Sequence, residues 1–179
     1  MHDLGRNEDR LRGTYEFPFE FHHIDSTHPR YVMSYHWHVE CEIMRILQGT
    51  LTVTLDEKSF TAKAGDVIFV NSGVLHSGIP HDCIYQCIVF DMNMFLKFNS
   101  VCTEYMQKIS HQELLIYHHF TEKHPDIQRS VNSLFDSFWQ KKPGYELVVF
   151  GQFYHFFGLV FGNHYYLESL RKTRRDYKR

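Results

Sequence analysis

Metal-binding side chains are concentrated in one short segment, where His36, His38 and Glu42 lie within seven residues. On a β-strand the two histidines point to the same face, and Glu42 keeps that parity. Two imidazoles and a carboxylate on one face form a 2-His-1-carboxylate ligand set, which suits Fe(II), Mn, Ni or Zn. We expect a fourth ligand, His76, to reach the same place from across a barrel.

The same four side chains could also bind a ligand without an ion, because neutral imidazole both donates and accepts hydrogen bonds. If one divalent ion is bound, the imidazole-rich set favours Zn or Ni over Mn or Fe. The parity that starts at His36 also places Met44 on the inner face of the barrel. We expect Gln86 on the inner face of a later strand, where its buried amide would contact the ligand or a network within the protein.

Strand patterns dominate the chain before residue 100. The alternation of Tyr15, Phe17, Phe19 and Phe21 with polar residues predicts a half-buried strand, which Pro18 restricts to an edge or an arm. Further short strands, rich in Val, Ile, Thr and Phe, are predicted at Glu42–Leu47, Gly49–Leu55, Ser59–Ala62, Val67–Asn71 and Cys83–Phe90. Short strands at this spacing indicate a mainly β sandwich or barrel rather than a parallel α/β sheet.

Helical periodicity replaces the strand pattern after residue 100. Apolar residues from Ile127 to Trp139 form one stripe of an amphipathic helix, and residues 141–144 carry its stop pattern. A second helix is predicted from about Leu147 to the high 160s. Its three glycines, which share one face, indicate close packing, either within the chain or in a homodimer interface: Gly151, Gly158 and Gly162.

Composition excludes several classes of protein. The 179 residues carry 19 Lys and Arg against 21 Asp and Glu, a net charge of −2, which argues against a main body that binds nucleic acid. The N-terminus has no apolar signal region, and no stretch reaches the length of a membrane span. Four irregularly spaced cysteines do not form a disulfide scaffold, so we expect reduced thiols in a cytoplasmic protein. Residues 171–179 hold six basic residues and resemble a linker or a solvated helix end.

Two motifs resemble those of the cupin family. Residues 36–49 match the first motif, His-x-His-x3-Glu-x6-Gly, and residues 65–76 match the second, with Asn71 in place of its usual proline. The sequence departs from the family at Arg30, where a glycine is usual, and at Pro80, where an asparagine is usual. The resemblance implies a double-stranded β-helix, or jelly-roll barrel, over roughly residues 14–92, with the four ligand positions at its mouth.

A narrower resemblance connects the chain to the sensor domain of AraC-type transcriptional regulators. It is carried by the Pro29-Arg30-Tyr31-x-Met33 stretch before the first motif, the two motifs themselves, and Ile88-Val89-Phe90-Asp91. The resemblance implies an aromatic N-terminal arm at the cupin mouth, so that Phe19 would contact the ligand. It also implies that the helix pair forms the dimer and that a separate domain with helix-turn-helix motifs binds DNA.

These observations together predict two segments and a regulatory function. Residues 1–100 would form the arm and the cupin barrel, and residues 101–179 a helical dimerisation segment that ends in a basic linker. We expect a non-enzymatic domain that senses a small polar effector, a sugar or polyol, with the DNA-binding domain absent from these residues. The alternative is a metal-dependent cupin enzyme, such as a dioxygenase or sugar isomerase.

Overall fold

The protein has a mainly β, antiparallel cupin-like fold followed by helices, as the sequence predicts. The computed structural model describes residues 6–97 and 100–169. Its strands are β1 (Arg6–Asn7), β2 (Phe19–Ile24), β3 (Met33–Trp37), β4 (Cys41–Leu55), β5 (Lys58–Lys63), β6 (Val67–Val70), β7 (His76–Phe90), β8 (Leu114–Ile116), β9 (His119–Phe120) and β10 (Tyr166–Glu168). A 3₁₀ helix (Met92–Leu96) precedes three α-helices, α1 (Thr103–Ser110), α2 (Pro125–Gln140) and α3 (Tyr145–Gly162).

Two long antiparallel strands, β4 and β7, form the centre of the barrel. On one side, β4 pairs with β7. On its other side, β4 pairs first with β6 and then, further along the strand, with β5. β7 also pairs with β2 and β3. The sequence predicted two strands where β4 is continuous, because Gly49 interrupts the pattern. Gly49 has a φ of +67°, and a Cβ there would lie 2.2 Å from the carbonyl oxygen of Asp82. The glycine therefore permits an irregular register within one strand rather than ending it.

The sheet separates two apolar cores. The core inside the barrel consists of Ile24, Met44, Ile46, Leu51, Val53, Leu55, Ala62, Ile68, Val70, Cys83, Tyr85 and Cys87. The second core lies between the outer face of the sheet and the helices, and it includes Ile43 of β4 and Ile88 of β7. Both faces of the central strands are thus buried, so these strands are apolar on both sides.

Both predicted helices are present, but α3 ends at Gly162 and not in the high 160s, where Tyr166–Glu168 form β10. α2 begins at Pro125 and ends where Lys141 adopts a left-handed conformation, which confirms the predicted stop. Trp139, predicted as part of the buried stripe, is 60% exposed and lies at the edge of the helix interface. None of the helices in the described ranges is long and apolar enough to cross a membrane.

The aromatic N-terminal strand packs on the helices and not at the barrel mouth. Phe19 is buried; its ring stacks on Phe153 with centroids 5.0 Å apart and lies 5.8 Å from Phe138. This position follows from register, because Phe19 pairs with Phe90, whose side chain belongs to the core under the helices. Opposed residues of an antiparallel pair point to the same face, so the prediction that Phe19 contacts the ligand is corrected.

The three glycines of α3 have no close neighbours in this chain. An added Cβ at Gly151, Gly158 or Gly162 would meet no atom within 4 Å among the described residues. Close packing against the described residues is therefore not the reason for these glycines. The basic tail, residues 171–179, lies outside the described residues.

Candidate metal and effector site

Three strand ends bring the four predicted ligands together. His36 of β3 is the register partner of His76, the first residue of β7, and Glu42 is the second residue of β4. His38 lies in the bend between β3 and β4, so its proximity to Glu42 comes from that bend and not from one continuous strand. His76 likewise reaches the site from the neighbouring strand, and not from across the barrel as expected. The ring centroid of His76 lies 4.1 Å from that of His36 and 5.0 Å from that of His38.

Backbone carbonyls fix which nitrogen of each histidine faces the site. Nδ1 of His36 donates to the Ser34 carbonyl at 2.8 Å, Nδ1 of His38 to the Glu40 carbonyl at 3.0 Å, and Nδ1 of His76 to the Val74 carbonyl at 2.8 Å. A carbonyl oxygen only accepts hydrogen bonds, so all three Nδ1 atoms carry their hydrogen. In the neutral imidazole Nε2 then presents a lone pair, which is the arrangement found in metal-binding histidines.

The Glu42 carboxylate lies at the centre of the group. Its Oε2 accepts a hydrogen bond from Nε2 of His38 at 3.3 Å. Nε2 of His76 is equally close, at 3.3 Å, but is not aligned to form a hydrogen bond. This nitrogen is fully buried and has no hydrogen-bond partner among the described residues. A buried polar atom of this kind indicates an ion or ligand that completes the site.

The arrangement fits a divalent transition metal. One donor atom from each of the four side chains lies within 4.8 Å of all the others. Ligands at roughly 2.0–2.2 Å from a shared ion are at most about 4.4 Å apart, so a shift of a few tenths of an ångström would bring all four into coordination. Three imidazole nitrogens and one carboxylate oxygen suit Zn, Ni, Fe or Mn, and coordination positions beyond these four could take a ligand oxygen.

The charges of the site are strongly coupled. Burial by itself would raise the pKa of Glu42, but the adjacent His38 and His76 imidazoles hold that pKa well below its usual value. Burial by itself would lower the pKa of His38, but the Glu42 carboxylate raises it above the ordinary value. Burial, together with the neighbouring His76, lowers the pKa of His36. Protonation of His38 beside Glu42 would therefore compete with a metal ion for the same donor atoms.

A small cavity of about 50 Å³ adjoins the ligand group. One wall comes from β7, whose inward residues Tyr85, Cys87 and Val89 line it beside Ile24 and Met33. Sequence reasoning missed this wall because both faces of β7 are apolar, so no alternation marks the inner one.

Two predicted ligand contacts lie elsewhere. Met44 is on the inner face, as parity predicts, but belongs to the apolar core of the barrel and does not line the cavity. Gln86 points to the outer face: it accepts a hydrogen bond from Arg45 at 2.9 Å and donates one to His23 at 2.9 Å. Arg45 also pairs with Asp136 of α2 at 2.9 Å. Gln86 therefore belongs to a hydrogen-bond network within the protein, and the prediction that it contacts the ligand is corrected.

The roof of the cavity is formed by charged residues that the motifs did not indicate. β1 pairs in parallel with β3 and brings Glu8, Arg10 and Arg12 over the ligand group, where Arg30 joins them. Arg30 occupies the position where cupins usually have glycine. Two features of the sequence could have indicated these residues: the departure from the cupin motif at Arg30 and the many charged residues among positions 6–12.

Asn71 shows how the chain accommodates another departure from the cupin motif. In place of the usual proline, its side chain donates to the carbonyl of Ile116 at 2.8 Å and accepts from the amide of Ile116 at 3.0 Å. These two bonds attach β8 to the end of β6. The substitution is therefore structural and lies outside the ligand group.

Comparisons with known proteins agree with this architecture. The family described as the AraC-like ligand binding domain matches residues 18–157. An uncharacterised HTH-type transcriptional regulator of Bacillus subtilis, YdeC, is 36% identical over 56 residues, which cover 30% of this chain and 19% of the relative. The chain therefore matches about a fifth of that relative's length.

Solved structures with a partial likeness include the Bacillus subtilis oxalate decarboxylase, a protein with Mn(II) centres. It is 25% identical, with a TM-score of 0.31, over 34% of this chain and 18% of the enzyme. A variant of the same enzyme gives 24% identity at the same coverage and TM-score. A likeness of this extent carries no argument about metal or activity, whereas the family match spans most of the present sequence. The chain belongs to the family of AraC-like ligand binding domains.

Proposed function

We propose that this chain is the effector-sensing and dimerisation domain of a transcriptional regulator, and that it binds one divalent metal ion through His36, His38, Glu42 and His76. The family match supports the regulatory part. The observation that carries the site is the grouping itself: four donor atoms, one from each side chain, lie within 4.8 Å of one another, and three of the four residues are buried. The bound ion would act as a Lewis-acidic anchor for an oxygen atom of the effector.

The effector is a small polar molecule bound in the cavity beside the ligand group. A sugar or polyol is the expectation that the AraC-type resemblance brings, and its hydroxyls would suit both the imidazoles and the ion. The described cavity of about 50 Å³ holds about four water positions at roughly 10–15 Å³ each. A monosaccharide would thus require the roof residues to move.

A homodimer built on α3 completes the proposal. No described residue covers the face that carries Gly151, Gly158 and Gly162, and Leu147 beside it is 80% exposed. An apolar groove of about 710 Å³ between α1 and α3 contains Gly158 and Gly162. Exposed apolar surface of this kind favours a protein partner, and a second copy would cover it. A separate helix-turn-helix domain would contact DNA, in the cytoplasm.

The rival function is that of a metal-dependent cupin enzyme. It is favoured by the same four ligands, which leave coordination positions open. Against it stands the match to a family of ligand binding domains, although two further histidines, His22 and His28, line the cavity. We therefore treat the domain as non-catalytic.

Calorimetric titration tests the proposal. Metal-free protein is titrated with Zn(II), Ni(II), Mn(II) or Fe(II), and the loaded protein is then titrated with polyols. We expect one metal site per chain in the wild type and loss of that site in His36→Ala, with the effector bound only by the loaded protein. Turnover of a bound ligand by the metal-loaded wild type would instead support the enzyme.

A further inference from the structure

The Glu8 carboxylate lies among three arginines and lines the same cavity as His36, His38 and Glu42. Its Oε1 lies 2.8 Å from Nη1 of Arg30, and its Oε2 lies 2.8 Å from Nη2 of Arg12. Nε of Arg10 is 3.9 Å from Oε1. Partial burial alone would raise the pKa of Glu8, but the hydrogen bond from Arg12 and the charges of Arg12, Arg30 and Arg10 lower it to about 2.

The three arginines are only partly neutralised without Glu8. Arg12, whose side chain is 2% exposed, also pairs with Glu20 at 2.8 Å, and Arg10 pairs with the other oxygen of Glu20 at 2.9 Å. Arg30, by contrast, forms an ion pair with Glu8 among the described residues, and its side chain is 57% exposed. Loss of the Glu8 contact would therefore leave three guanidinium groups with two nearby carboxylates, Glu20 of β2 and Glu40, whose Oε1 lies 3.9 Å from Nε of Arg12. Arginine in this arrangement prefers a carboxylate or phosphate because its donors form a planar fork.

Glu8 is held at this position by a short attachment. β1 contributes two residues to the sheet, and the amide of Glu8 adds one further bond to the carbonyl of Trp37 at 2.9 Å. Glu8 lines the cavity together with His36. A ligand with its own carboxylate could take the same contacts while a neighbouring oxygen reached the histidine group.

We propose that the effector is a small carboxylate anion, a hydroxy acid of two or three carbons, whose carboxylate replaces that of Glu8 on Arg30 and its neighbours. This inference rests on the proposed function for the location of the effector site and names the chemical class of its ligand. The carboxylate of such a molecule suits the arginines, and its hydroxyl oxygen is a donor that could complete the coordination of an ion at the ligand group. Its size matches a cavity that holds few non-hydrogen atoms.

Matched neutral and anionic probes test the charge requirement. Glycerate and glycolate are compared with glycerol and ethylene glycol by calorimetric titration of the full chain, in both metal-free and zinc-loaded forms. We expect each acid to bind at least tenfold more tightly than its neutral counterpart. Equal affinities, or no binding of either acid, would overturn the proposal.

Two variants test the replacement of Glu8. Arg30→Gln, at an exposed position, should weaken glycerate binding about tenfold because a charge-assisted contact is lost. Glu8→Gln should strengthen glycerate binding severalfold because the competing carboxylate is gone, whereas a purely structural ion-pair network would lower only the melting temperature. Circular dichroism would show that the Glu8→Gln variant is folded. If this folded variant binds glycerate as well as the wild type or more weakly, the idea that the ligand carboxylate replaces that of Glu8 is contradicted.

The metal titration separates this proposal from the proposed function. If the protein takes up no metal but binds the acids more tightly than the neutral probes, the anion site is supported and the metal site of the proposed function is contradicted. If the protein takes up metal but binds the acids no more tightly than the neutral probes, the anion site is contradicted and the metal site is supported.

Discussion

Replacement of His76 is the perturbation whose effect follows most directly from the site geometry. At a metal concentration 1,000 times the dissociation constant, binding to the folded state raises the free energy of unfolding by about 4.1 kcal/mol. For a chain of this length, each kcal/mol changes the melting temperature by roughly 2–4 °C, so we expect the ion to raise it by about 8–16 °C. His76→Ala removes one of four ligands. If its affinity falls about 1,000-fold, the same metal concentration contributes about 0.4 kcal/mol, a shift of about 1–2 °C.

The assay is thermal unfolding followed by circular dichroism, with chelator and with excess metal. The chelator series isolates the cost of the mutation itself, since loss of a buried side chain lowers stability even without metal. His111→Ala is the matched control, because this side chain is 60% exposed and lies outside the ligand group. It should retain the full metal-induced shift. A full shift in His76→Ala, or loss of the shift in His111→Ala, would refute the assignment of the ligands.

Three further predictions address the helices, the dimer and the protonation of the site. Phe19→Ala should lower the free energy of unfolding by about 3–5 kcal/mol, as for a buried aromatic residue. The folded variant should keep its metal-induced shift in melting temperature, and loss of metal binding would contradict the position of Phe19 outside the site. Gly158→Leu should weaken the homodimer in sedimentation experiments, because a large side chain would fill the open glycine face, and an unchanged dimer would exclude that face as the interface. Metal affinity should fall as the pH decreases from 8 to 6: the pKa of His38 is raised by Glu42, so the proton is held more tightly and the ion must displace it. Calorimetry in two buffers of different ionisation enthalpy would show this proton release, and an affinity independent of pH would contradict it.

The strands could be predicted from the sequence because local spacing determines them, whereas the inclusion of His76, 34 positions beyond Glu42, depended on the resemblance to the second cupin motif. His36, His38 and Glu42 are close in the chain, and the strand pattern around them specifies a closed, antiparallel architecture. The stop pattern after α2 is also local and is confirmed at Lys141. Such features depend on few long-range contacts.

The cavity walls depend on contacts between distant residues and could not be predicted in the same way. Gln86 lies in a segment whose two faces are both buried, one by the barrel core and one by the helices. Alternation is then absent, and only the pairing of Gln86 with Arg45 shows which face it occupies. The contact between Glu8 and Arg30 spans 22 positions of the chain and belongs to no motif.

The direct test of the central claim is the metal content of the protein. The chain is purified without chelator or nickel resin, reconstituted with metal, desalted and analysed by elemental mass spectrometry alongside His76→Ala prepared in the same way. The account predicts about one ion per wild-type chain and a small fraction of that amount in the variant. A wild-type protein that retains no metal, or a variant that retains as much as the wild type, would contradict it.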